Sequence, residues 1–354
     1  MRARSPRFAA AGRGGRKRCT VPPASSPRPG PADGRRYPDA HRPPLDPPRP
    51  GTAADLTSES LLRPARRPPS EGWRRAVFTA SRGLINPGES RGERRRRELR
   101  ALVRDPVVGG HHRIAVLGAR SGAGRTTTAV GLGSVLAEER GDRVIAVDAA
   151  PHGGTLTERL ASRLRPRLGA RDLVARRDAL KRYSDVRAYT GQAPSRLEFL
   201  SSGADPEARR VLSDGDYRHV AGIVERFYSV CVTDCGSGVL HPAMGAILES
   251  ADQAVVVCPP SVDGMRGASA LLDWLEVNGH AALARSCVVV LSRVGRTTDS
   301  DLLARHFSDR CRRVLPIPED PHLAEGGPVD LARLRPATHL AYLELAAEVA
   351  SVFR

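Results

Sequence analysis

The chain has 354 residues, with 56 Lys+Arg against 39 Asp+Glu and a formal net charge of +17. Most of that charge lies early, since residues 1–110 hold 25 basic and 10 acidic side chains, a net of +15. No apolar run reaches the ~18 residues of a membrane-spanning helix, and Cys231, Cys258 and Cys287 sit inside apolar runs, which argues against a membrane-embedded or disulfide-built protein.

The first third also carries 17 of the 29 prolines. A Pro/Arg/Gly-rich segment buries too little apolar surface to offset its ordering entropy. Residues 1–70 are therefore expected to form a disordered Pro/Arg-rich arm, followed by a basic helical linker over 71–110. Within that linker a short amphipathic segment starts at Trp73, and 93–104 has helical spacing with a run of four arginines at 94–97. Such a run is either a solvated helix face or an electrostatic contact for an acidic partner, a membrane surface or DNA. No aromatic residues interleave it, so base stacking is not indicated. Lysine occurs only at 17 and 181, which makes arginine abundance alone a weak sign of a binding surface.

From residue 111 short apolar runs alternate with helical patterns. His111 and His112 read as a solvated entry to the first strand. Strands are expected at 113–119, 143–149, 197–201, 228–234, 253–258, 287–291 and 314–317. Helices are expected at 127–139, 156–164, 170–182, 206–227, 242–250, 264–277 and 300–307, with a packed terminal helix over 338–353. Strands apolar throughout, such as Ala254 to Cys258, must be covered on both faces. The alternation gives an α/β domain over 111–354, a doubly wound, mainly parallel sheet with helices on both faces.

The first strand runs into Gly118, Ala119, Arg120, Ser121, Gly122, Ala123, Gly124, Arg125, Thr126, Thr127 and Thr128. Strand, Gly-rich turn and helix is the layout of a phosphate-binding loop. Small residues let backbone N–H groups close around phosphate oxygens while the helix points its positive end at them. The strict pattern Gly-x-x-x-x-Gly-Lys-Ser/Thr fails at Ala119 and Arg125. The variant Lys-Gly-Gly-x-Gly-Lys-Thr-Thr fits better, with arginine at both lysine positions, 120 and 125.

These residues, with Gly72-Trp73-Arg74-Arg75, the strand ending in Asp148, Thr233-Asp234-Cys235-Gly236, Ser261-Val262-Asp263-Gly264 and Leu272-Asp273-Trp274, resemble the MinD/ParA family of P-loop ATPases with a deviant Walker A loop. Within it the chain is similar to actinobacterial proteins associated with type VII (ESX) secretion. The resemblance covers about 72–353 and implies ATP and Mg²⁺ as cofactors. It implies that Ser121, Gly122, Ala123, Gly124, Arg125, Thr126 and Thr127 cradle phosphates. It implies that Thr126, Asp148 and Asp234 face the metal, and that Arg120, Arg125 and Asp234 serve catalysis, Arg120 by reaching across a nucleotide-dependent homodimer. A cytoplasmic protein is implied, with the inner face of the membrane as a second location, acting with a secretion or positioning machinery. Three departures bear on turnover. Arg125 replaces the loop lysine, Ala150 replaces the switch I aspartate, and the strand near Leu291 and Ser292 lacks the asparagine that reads adenine. A weak ATPase switch is the leading expectation. A nucleotide-independent scaffold and a DNA-binding partition ATPase are the alternatives.

Overall fold

The computed structural model describes residues 67–70, 72–150, 155–160, 168–201, 212–236, 241–296 and 298–353. All but the last few residues of the expected arm lie outside these. At its end Ser70 donates to Glu93 through both its backbone N–H (2.7 Å) and its hydroxyl (2.9 Å).

Eight strands form one sheet: β1 (His112–Leu117), β2 (Val144–Ala149), β3 (Gly191–Gln192), β4 (Glu198–Leu200), β5 (Val230–Cys235), β6 (Gln253–Cys258), β7 (Val288–Val294) and β8 (Arg313–Pro318). Their order is β3-β4-β2-β5-β1-β6-β7-β8, and every neighbouring pair is parallel except β3 with β4. The expected doubly wound sheet is what the chain forms. Strands β2, β5 and β6 are buried at all positions, as two-sided coverage demands.

Successive β1 residues feed two separate cores. Ala115 and Leu117 join one with Tyr217, Val220, Leu271 and Leu272, while Ile114 and Val116 join the other with Val130, Leu132, Leu136 and Leu345. The first core is capped by α7 (Asp214–Glu225), α8 (Met244–Ser250) and α9 (Val262–Val277), the second by α2 (Arg91–Val103), α3 (Arg125–Glu139) and α13 (Pro336–Ala350). A first helix, α1 (Gly72–Ala80), buries none of its residues.

The arginine run lies on α2, which starts with Ser90 as N-cap in a capping box with Glu93. Several of its arginines are used within the domain. Arg95 pairs with Glu344 at 3.5 Å, Arg97 with Glu89 at 3.1 Å, and Arg100 and Arg104 share Glu139. The terminal helix α13 is packed as expected, burying Leu343, Leu345, Ala346 and Val349, with Glu348 paired to Arg312.

Several expectations need correcting. The helix expected over 170–182 is broken into α5 (Ala170–Ala175), a 3₁₀ turn (Arg177–Ala179) and α6 (Tyr183–Arg187). Asp185 accepts the backbone N–H of Lys181 and Arg182, so it starts a new helix instead of extending the old one. Of the segment expected as 156–164, the described part is helical over α4 (Leu156–Arg159) and leaves the helix at Leu160, which bridges to Val329; residues 161–167 lie outside the described residues. Of the helix expected over 206–227, the described part is α7, which Ser213 caps. The histidine entry is not solvated. His112 is buried with its ring 4.7 Å from Phe353, and the His111 ring contacts the Tyr228 carbonyl at 2.6 Å. Strand β3 and the short helices α10 (Ala281–Ser286) and α12 (Pro321–Ala324) carry too few periodic residues to be read in advance; α11 (Ser300–Phe307) falls where expected.

Candidate functional site

The loop between β1 and α3 owes its shape to glycines. Gly122 and Gly124 take φ of +73° and +93°, left-handed conformations that side chains disfavour. Gly124 is the N-cap of α3 and offers no side chain to its first turn. Backbone N–H groups of 120–124 make no hydrogen bond to other described residues, and those of 125–127, in the first turn, have none within the helix. A row of donors at a helix N-terminus is a ready anion site.

The loop's carbonyls, by contrast, are occupied. Arg125 Nη1 donates back to Gly118 O (2.8 Å) and Arg120 O (3.0 Å). Arg293 Nη2 donates to Gly122 O (3.2 Å), and Ser292 Oγ to Ala123 O (2.7 Å). In a trans peptide the N–H points opposite to the C=O, so tying these carbonyls back turns the N–H groups of the same peptide units the other way. Gly118 makes the first of these contacts feasible: a β carbon there would stand 3.0 Å from the Arg125 stem and 2.9 Å from Val257 O. Burial pushes the Arg125 guanidinium below its ordinary value, and the Asp234 carboxylate holds it up. Arg120 is exposed, and its guanidinium has no partner among the described residues.

Two carboxylates stand beside the loop. Asp148 near the end of β2 and Asp234 near the end of β5 are direct partners across the parallel ladder, each 1 % exposed. Ala150 N–H donates to Asp148 Oδ1 at 3.1 Å; Asp148 Oδ2 and both Asp234 oxygens have no hydrogen-bond partner among the described residues. Burial pushes Asp148 up to about 7, with the neighbouring Asp234 charge adding to it. Burial pushes Asp234 up to about 6, against the pull of the Thr126 hydroxyl and the Arg125 charge. Orphaned buried carboxylate oxygens facing a threonine hydroxyl are the donor set that a hard divalent cation prefers. Thr155 Oγ1 also reaches Thr126 Oγ1 at 3.3 Å.

A cavity of about 900 Å³ opens at the loop. Ser121, Gly122, Ala123, Gly124, Arg125, Thr126 and Thr127 line it, and so do Arg159, Arg293 and Arg335. Among the described residues its lining carries four arginines, 125, 159, 293 and 335, and two acids, Glu319 and Asp320. The oxygens of Asp320 are committed to His322 N–H and Arg335 N–H. Arg120, Asp148 and Asp234 are not in this lining; the carboxylates sit under the loop on the β2–β5 side.

Residues 114–327 match the CobQ/CobB/MinD/ParA nucleotide binding domain. The chain belongs to that family. Among curated proteins it is similar to the ESX-1 secretion-associated protein EspI of Mycobacterium tuberculosis, 37% identical over 288 residues, 80% of this chain and 42% of that protein. The chain thus spans about two fifths of the length of the curated relatives it matches. Among solved structures it shares its fold with a ParA family ATPase from Chlorobium tepidum (TM-score 0.58, 20% identity, covering 68% of this chain and 98% of that one). It also shares it with the septum site-determining protein MinD of Pyrococcus horikoshii complexed with Mg-ADP (TM-score 0.54, 23% identity, covering 68% and 96%).

For a member of the CobQ/CobB/MinD/ParA family, three site features escaped the sequence. The fold-back of Arg125 onto its own loop is visible in sequence only as a glycine at 118. Ser292, noted there merely as a missing asparagine, is a buried loop staple. Arg293 has φ of +56° beside a β-bulge between Leu291 and Val294, and no sequence signal marks it.

Proposed function

We propose that this domain is a nucleotide-dependent switch. The N–H groups of 120–127 hold the phosphates of a nucleoside triphosphate, and Thr126, Asp148 and Asp234 hold Mg²⁺. The supporting observation is the loop itself, its donors unpartnered and its carbonyls tied back, opening into a cavity with an excess of arginines. The metal would supply charge neutralisation between the phosphates. The chain's own residues do the rest. Thr126 offers a hydroxyl, and Asp148 and Asp234 offer carboxylates whose mutual repulsion a cation relieves. Arg125 spends one nitrogen on two carbonyls and has its other donors left for phosphate.

Hydrolysis is expected to be slow. Phosphoryl transfer rests on positioning and charge stabilisation. Ala150 offers no carboxylate to orient an attacking water, and a guanidinium fork replaces a compact ammonium. Exposed Arg120 is the candidate to reach a partner's phosphates in a nucleotide-dependent homodimer. EspI is named for its association with ESX-1 secretion, which supports placing this switch beside a secretion machinery. A second reading, a scaffold that binds protein partners without nucleotide, draws on the Arg125 bonds to its own loop and on Ala150. Calorimetric titration with Mg-nucleotide followed by phosphate release separates the two. Saturable binding with slow release is expected, and no binding at millimolar nucleotide favours the scaffold.

A further inference from the structure

Helix α1 shows to solvent the side chains that a helix ordinarily buries. Trp73, Ala76, Val77 and Ala80 recur at i, i+3, i+4 and i+7 and so share one face. Trp73 is 68% exposed, Ala76 and Ala80 are exposed, and Val77 is half-buried. A neighbouring stripe turns to its own chain. Arg74 Nη1 donates to Pro87 O (3.3 Å) and Gly88 O (3.4 Å), and a β carbon on Gly83 would stand 3.6 Å from the Phe78 ring. The turn that closes α1 is a Schellman cap. Gly83 N–H donates to Phe78 O (2.8 Å) and Arg82 N–H to Thr79 O (3.0 Å), with Arg82 at φ of +51° in the left-handed position that glycine usually fills. Leu84 N–H then donates to Ser81 O (3.0 Å) and Ile85 N–H to Ser81 Oγ (3.1 Å). This bonded backbone holds Leu84 91% and Ile85 59% exposed.

The charge around these side chains has one sign. From Arg63 to Arg82 the chain carries six arginines and one carboxylate, Glu71, and residues 72–88 carry no carboxylate. Arg74 and Arg75 bond to carbonyl oxygens, Arg75 Nη1 to Ser70 O at 2.9 Å, which leaves their charges uncompensated. The next carboxylates downstream are spent inward, Glu89 on Arg97 at 3.1 Å and buried Glu93 on Ser70 and Ser90. Residues 1–66, which lead into α1, add 14 basic side chains against 5 acidic ones. An anionic bilayer matches both halves of this chemistry. Indole sits at the headgroup boundary, aliphatic tips reach the acyl chains, and arginines meet lipid phosphates. Nine residues of helix span only about 13 Å, too short to cross, so α1 would lie in the plane of the surface. DNA answers the arginines but offers nothing to Leu84 and Ile85. An acidic protein would need its carboxylates matched to a charge spread along 82 residues of sequence.

We propose that α1 and its closing turn dock this protein on an anionic lipid surface, with Trp73, Leu84 and Ile85 entering the headgroup layer and the arginines of 1–82 meeting lipid phosphates. The full chain is floated with vesicles of phosphatidylcholine, and of phosphatidylcholine and phosphatidylglycerol in equal parts, the latter also with bromine-labelled acyl chains that quench a tryptophan reaching them. The two tryptophans are Trp73 and the half-buried Trp274 of α9. The expected result is capture by the anionic vesicles and not the neutral ones, with bromine quenching that Trp73→Phe abolishes without releasing the protein. Leu84→Glu with Ile85→Glu should weaken capture by about tenfold or more, since each change removes an aliphatic anchor and adds a repelled charge. The melting temperature should not move, because both side chains are exposed. Capture that the double variant keeps, or tryptophan emission that bromine leaves unquenched, puts the contact on arginine charge alone and overturns docking by α1. No capture by anionic vesicles overturns the lipid assignment. Duplex DNA bound more tightly than the vesicles, with the same loss in the double variant, overturns it as well.

Discussion

The paired carboxylates make a quantitative prediction about the metal-free protein. Asp148 rises from an ordinary 3.8 to about 7 and Asp234 to about 6. Each pK unit is worth about 1.36 kcal/mol, so Asp148 ionised in place opposes folding by ~4 kcal/mol at alkaline pH, part of it repulsion shared with Asp234. The native state takes up a proton more readily than the unfolded chain between about pH 4 and 7. Stability is therefore highest on the acid side of that window and is lost as pH rises through it. Asp148→Asn removes one charge, keeps an oxygen for the Ala150 N–H, and sets an amide donor beside Asp234. Urea unfolding in EDTA, from about pH 5 to 8.5, is the assay. The wild type should lose several kcal/mol across the range and Asp148→Asn much less, so that the variant is the more stable at pH 8 by about 1–3 kcal/mol once imperfect packing is allowed for. A flat wild-type profile, or a variant less stable at pH 8, would refute the claim that these carboxylates are buried and unpartnered together.

Arg125→Lys combined with Ala150→Asp should raise phosphate release well above the wild-type rate if those two positions limit turnover; an unchanged rate places the limit elsewhere. Ser292→Ala frees the Ala123 carbonyl and should weaken Mg-nucleotide binding about five- to tenfold, by the ~1 kcal/mol of one buried hydrogen bond, with the melting temperature little changed. Gly131→Ala sets a β carbon into the ring of Tyr342, which packs on α3 and whose hydroxyl donates to Thr127 O at 3.4 Å; unfolding should show a loss of about 1–3 kcal/mol.

Much of this architecture could be read from residue types alone. All-apolar runs such as Val230 to Val232 and Ala254 to Cys258 demand cover on both faces, which forces a parallel sheet between helix layers. The glycines at 122 and 124 marked the loop, and Asp148 and Asp234 stand side by side as strand-end acids next to it. What escaped depends on contacts between residues far apart in sequence. Ser292 and Gly122–Ala123 are about 170 residues apart, and only the β1-β6-β7 order brings them together. The break near Leu180 depended on Asp185 competing as a cap, which helical periodicity does not register. His112 looked polar and exposed because its burial comes from Phe353 at the far end of the chain.

The central claim is that the unpartnered N–H groups of 120–127 receive a ligand's phosphates. Backbone amide resonances of the full chain, followed by NMR while Mg-nucleotide is added, test it most directly. The account predicts saturable shifts that are largest at Arg120 to Thr127 and are reproduced there by tripolyphosphate. Saturation without movement of those amides, or no change anywhere at millimolar nucleotide, would contradict it.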